Sequence, residues 1–147
     1  MCYGGNGWLA LRCDASGNVL DLDGRVRMLP TSIPDGFSNT ILHVEKYAVC
    51  TNSRNPIGGT AWAYCRTDPS PPYLWHGIGP AVDPTSMFKV LPPPGNCDPT
   101  LASTAHPAGI MVGMVDGGVR CVSAGISPRT WWYALTPAGG EVLPNDW

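Results

Sequence analysis

Charge is scarce in this chain of 147 residues: Asp, Glu, Lys and Arg make up 14% of it, against roughly 25% in ordinary soluble domains. Lys and Arg number nine, they are scattered, and the formal net charge is −2. A nucleic-acid or anionic-membrane surface needs a basic patch, and this balance does not supply one. No apolar run approaches the ~18 residues of a membrane span. The opening Met1-Cys2-Tyr3-Gly4 does not read as a signal peptide. The chain as printed is therefore expected to be soluble. No internal repeat of about 20–50 residues is visible, which argues against solenoids and propellers. Gly (18) and Pro (16) stand at roughly twice average usage. Both break helices, so a helical bundle or coiled coil is excluded. The hydrophobic share of 44% is normal for a packed core, which argues against wholesale disorder. Short strands joined by many turns remain.

Signatures of catalysis are also lacking. There is no G-x-S-x-G, no S-x-x-K and no H-E-x-x-H. His43, His76 and His106 lie far apart, with no partner one helical turn away. Gly77-Ile78-Gly79-Pro80 is not a phosphate cradle, because Pro80 removes a donor and no third glycine follows. No enzyme is expected. Asp21-Leu22-Asp23-Gly24 has the look of a calcium-loop fragment without the remaining ligands, and a hairpin turn is the preferred reading. No cofactor is expected; Ca²⁺ would require Asp83, Asp98 and Asp116 to meet in space, which spacing does not predict.

Six cysteines are present: Cys2, Cys13, Cys50, Cys65, Cys97 and Cys121. None is spaced C-x-x-C, which argues against a zinc ribbon or a thioredoxin-type redox motif. Scattered cysteines in a loop-rich chain suit disulfides and an oxidising compartment, the rival being buried free thiols. Cys50 and Cys97 each sit beside a long loop that needs restraint. They are the expected bridge.

Residues up to about 29 read as strands and turns: Leu9 to Arg12, Val19-Leu20, then Val26 to Leu29 after Asp23-Gly24. Residues 32–40 read as a turn, and Ile41 to Val49 as a strand rich in β-branched and aromatic residues. Residues 51–60 and 66–100 are dominated by turn formers, with Trp62, Tyr64, Tyr73, Trp75 and Phe88 pinning them. Trp62 and Trp75 are candidate sugar-stacking residues, weighed against plain packing of Pro-rich loops. Residues 110–122 read as a hairpin closed by a two-residue Asp116-Gly117 loop, pairing Met114 with Val119 and Val112 with Cys121. That register puts Ile110, Val112, Met114, Val119 and Cys121 on one apolar face and Arg120 on the other. Cys121 is then a buried thiol. Ser127 as N-cap and Pro128 at the first position open a helix to about Leu135, with Trp131 or Trp132 in the core. Glu141-Val142-Leu143 reads as a last edge strand. The expected fold is α+β: a single domain over residues 1–147, mainly antiparallel sheet with long Pro/Gly-rich loops and one short C-terminal helix.

His106-Pro107-Ala108-Gly109, followed by the run from Ile110 to Val142 with Asp116-Gly117 and Gly139-Gly140-Glu141, resembles the C-terminal block of bacterial prepilin-like proteins. That family is named after its His, nine residues, Asp-Gly motif. Asp35-Gly36-Phe37-Ser38-Asn39-Thr40-Ile41-Leu42, then Glu45-Lys46-Tyr47, resembles the same family's internal block. The resemblance covers about residues 31–147. It implies a pilin- or pseudopilin-like head, normally carried on an N-terminal hydrophobic helix of which the printed chain has no trace. Cys121 departs from the large apolar residue usual there. The family carries no established activity and has been catalogued among candidate solute-binding proteins. The resemblance therefore implies a non-catalytic structural module of the cell envelope or exterior, partnering itself or other pilin-like subunits. It implies no nucleic acid, and membrane contact through the N-terminal helix alone. A carbohydrate- or solute-binding module is the alternative. His106, Asp116, Gly117, Asp35, Gly36, Ser38, Asn39 and Thr40 are expected to be structural rather than catalytic.

Overall fold

A computed structural model describes residues 2–6, 9, 12–13, 19–21, 30–51, 73–74, 87–98 and 101–147. Among them a five-stranded sheet runs in the order β5(Tyr73–Leu74), β1(Cys2–Asn6), β4(Ile41–Lys46), β8(Gly109–Met114), β9(Val119–Ser123). The contacts β1–β4, β4–β8 and β8–β9 are antiparallel, and β1–β5 is parallel. Two small sheets accompany it: antiparallel β2(Arg12–Cys13) with β3(Val19–Asp21), and parallel β6(Lys89–Val90) with β7(Ser103–Thr104). One helix, α1(Pro128–Leu135), completes a mainly antiparallel α+β arrangement. The proposed strands and turn at 23–29 lie outside the described residues, as do Trp62, Trp75, His76 and Asp83.

Helix α1 forms where its cap predicts. Ser127 holds extended backbone (φ −70°, ψ 146°) and its hydroxyl accepts from the Thr130 N–H, while Pro128 needs no donor. A second cap comes from far along the chain, for Asp146 accepts from the Ser127 N–H at 2.8 Å and from the Thr130 hydroxyl. Those bonds hold the Asp146 carboxyl below its ordinary range. The buried face of α1, with Trp131, Ala134 and Leu135, covers Ile41, Val44, Ile110, Val112 and Val122 on the sheet. Phe88 meets Trp131 edge-on at 4.9 Å between ring centroids.

The hairpin forms, but its loop is one residue longer than expected. Met114 N–H donates to Gly118 O at 2.8 Å and Gly117 N–H to Met114 O at 3.1 Å, with Gly117 at φ +86°. The loop is Val115-Asp116-Gly117, a turn ended by a left-handed glycine. Val115 is withheld from β8 because its N–H donates to Thr40 O at 3.0 Å and its side chain is buried with Leu9 and Ile33. The register becomes Ile110↔Val122, Met111↔Cys121 and Val112↔Arg120. A slip of one residue reverses the faces of a strand. Val122 fills the core, Val119 is 73% exposed, and Cys121 is an exposed free thiol rather than a buried one. Arg120 falls on the core side of the sheet, its guanidinium 4.7 Å from the centroid of the Trp147 ring.

Two further expectations are corrected. β4 stops at Lys46 instead of Val49, because the Tyr47 N–H turns to the Ser103 hydroxyl at 2.9 Å. Residues 141–143 form no strand: the Gly139 and Gly140 amides are bound by Asp35, and Leu143 packs on the core while Val142 faces water. Cys50 and Cys97 are joined, with Cα atoms 5.4 Å apart. The bridge ties the end of the β4 segment to the Pro-rich run after β6, where Thr51 and Pro94 are also bonded.

Candidate functional site

The motif residues fall into three joined clusters. Asp35 opens the first. Its carboxylate accepts from the Gly140 N–H at 2.9 Å and the Gly139 N–H at 2.8 Å, a pair of successive amides that forms an anion-binding concavity. Gly36 has φ +98°, which leaves its carbonyl free to accept from the Thr40 hydroxyl at 3.0 Å. The Asn39 amide donates to Asp35 O at 2.9 Å, closing the loop on itself. Ser38 is exposed.

The second cluster is the hairpin tip. Asp116 Oδ1 accepts from the Gly118 N–H at 2.8 Å, the local bond that makes Asp a turn former. The Asp116 N–H donates to Phe37 O at 3.2 Å, so the tip rests on the Asp35 loop.

The third cluster surrounds Glu45. Its neighbours in the ladder are Val44↔Val112 and His43↔Gly113, so the next amide on β8, that of Met111, faces β4. There the Glu45 side chain replaces the backbone carbonyl, and its Oε2 accepts from the Met111 N–H at 3.1 Å. The same oxygen accepts from the Thr104 hydroxyl at 2.9 Å, and Oε1 lies 3.4 Å from His106 Nε2. The His106 N–H donates to Thr104 Oγ1 at 3.1 Å. The Glu45 side chain is 6% exposed and that of His106 58%. His106 is thus a lid on a buried carboxylate. The hydroxyl nearest to it, on Thr104, is turned to Glu45 and not to the imidazole, so the cluster lacks the nucleophile–base bond that acyl transfer requires.

Lys46, next along β4, is buried. Burial pushes its ammonium down to about 8, with the Asp98 charge acting the other way. Asp116 and Asp98, two of the three aspartates considered for Ca²⁺, are occupied in different places, one in the hairpin turn and one near Lys46. Among the described residues no group of three His, Cys, Asp or Glu side chains could hold a metal ion, and no helix is long and apolar enough to cross a membrane.

Sequence reasoning placed His106 and Asp116 as structural and missed what His106 touches. The available signal was Glu45-Lys46, two charges at the end of the strand that begins Ile41-Leu42. Charges are almost never fully buried unless paired. Replacing Glu45 by Ala should lower stability by about 2–4 kcal/mol, since the Met111 amide and the Thr104 hydroxyl would both lose a partner in the interior. Glu45→Gln keeps one oxygen for both donors and should cost less, and His106→Ala, at the exposed lid, less again. Urea unfolding midpoints for the three variants check the ranking. No family model, curated protein or solved structure matches this chain.

Proposed function

We propose that this chain is the non-catalytic head of a type IV pilin- or pseudopilin-like envelope protein, displayed or assembled through a hydrophobic helix N-terminal to β1. One observation carries the reading: the polar residues of the motif blocks are consumed by one another and by the backbone. Asp35 clamps Gly139 and Gly140, Asp116 closes its own turn, and Glu45 joins Met111, Thr104 and His106. A catalytic constellation would instead aim such groups at a shared cleft. Residues resembling one family's blocks here act as stitches between those blocks, which suits a module whose task is to keep its shape outside the cell. The Cys50–Cys97 bridge is compatible with an oxidising exterior. Self-association or other pilin-like subunits are the partners that this reading requires. Expression of the full-length gene product, followed by membrane fractionation and negative-stain microscopy, tests it. Membrane-bound or filamentous protein is expected. A product that remains soluble, and whose tryptophan fluorescence responds to saccharides, would replace this reading with a binding module.

A further inference from the structure

Strand β9 is a terminal strand of the five-stranded sheet, and its pairing with β8 runs without a register shift. The bond from Met114 N–H to Gly118 O sets the phase of that ladder. Bonded pairs alternate in an antiparallel ladder, so Arg120 and Val122 exchange bonds with β8 while Val119, Cys121 and Ser123 turn their amides and carbonyls outward. The side chains of the same three residues are exposed, Val119 at 73%. Proteins usually protect such an edge with Pro, Lys, a bulge or an inward charge. The run Val119-Arg120-Cys121-Val122-Ser123 has no Pro, Lys or bulge, and its one charge lies over Trp147.

The geometry points to β9 as a docking edge for β9 of a second copy of this chain, antiparallel about a two-fold axis at Cys121. The commitment to a second copy follows from the strand itself. β9 spans Val119–Ser123, its central residue is Cys121, and that residue's amide and carbonyl both face outward. The two-fold register therefore pairs all five residues with no overhang: Val119 with Ser123, Arg120 with Val122, and Cys121 with Cys121 of the other copy. Directly opposed residues of a bonded antiparallel pair have Cα atoms about 5.5 Å apart. That falls within the range a disulfide spans, about 4.4–6.8 Å. An edge of five residues makes a weak, concentration-dependent dimer, and the opposed thiols offer a way to trap it.

Sedimentation velocity of the full 147-residue chain over a concentration series reads the dimer directly. Oxidised glutathione then traps it: one Cys121 thiolate displaces glutathione from the reagent, and the second displaces the other, giving one disulfide and two reduced glutathiones. The expected result is a doubled mass whose linked peptide joins Cys121 to Cys121, lost in Cys121→Ser. Register is tested on the Cys121→Ser background, where Val119→Cys mixed with Ser123→Cys should cross-link and Val119→Cys alone should not. Cys121→Pro deletes an outward amide that the internal ladder does not use and should abolish the dimer while the monomer stays folded. Val119→Lys, a charge on the edge, serves the same end if the proline variant does not fold. Sedimentation as a monomer at every concentration overturns the proposal, as does equal cross-linking in the self and mixed pairs.

Discussion

Replacing Trp131 by Ala should destabilise the fold by about 3–5 kcal/mol, the range for deleting a buried large aromatic. Trp131 is 3% exposed, lies edge-on to Phe88 at 4.9 Å, and is the largest side chain that α1 presents to the sheet. Its removal leaves a cavity between two elements whose remaining contacts are Ala134 and Leu135 from the helix. Relaxation is hindered because α1 is held at its start by Ser127 and Asp146. Trp132, only half-buried on the next position of the helix, provides the comparison, and Trp132→Ala should cost distinctly less. Guanidinium or urea unfolding of both variants reads the difference. Equal losses would mean that the helix packs through another face.

Stability should also rise between pH 8 and 10.5. The Lys46 ammonium is pushed from 10.5 to about 8, chiefly by burial. Within that window the unfolded chain still holds a proton which the folded chain has released, so the slope of unfolding free energy with pH is positive. Below pH 8 both states carry the proton, and the cost of burying the charge is present in full. Above 10.5 neither carries it, and the cost has gone. The whole effect is on the order of 3 kcal/mol at about 1.4 kcal/mol per pKa unit. Lys46→Met should be more stable than the parent below pH 8 and should lose the rise, as equilibrium denaturation across the window would show. A parent and variant with parallel profiles would place the penalty elsewhere.

How much of this was legible beforehand differs from element to element. The Ser127-Pro128 start of α1 was readable because a hydroxyl cap and a fixed φ act within one turn of chain. Asp146, which caps the same helix from 19 residues away, left no such mark. The existence of the hairpin followed from Asp116-Gly117, since those residues favour a turn wherever they stand. The Cys50–Cys97 bridge was likewise foreseen from the long loops at its two ends.

Local sequence by itself determined where the chain turns, where α1 begins, and that Ile110, Val112 and Met114 face the core. It did not determine the register of β9. Two- and three-residue loops both accept Asp-Gly, and the choice between them was made by Thr40, Phe37 and the Leu9–Ile33 cluster, which hold Val115 and Asp116 out of the ladder. That choice exposed Cys121 and turned Arg120 toward the core side. Tertiary structure also decided the fate of Glu45, whose neighbours Thr104, His106 and Met111 come from 59 to 66 residues along the chain. The physical reason is the range of the forces. Backbone preferences act over a few residues and can be read in sequence, whereas a strand's register and a buried carboxylate's partners depend on surfaces that exist only once the chain has folded.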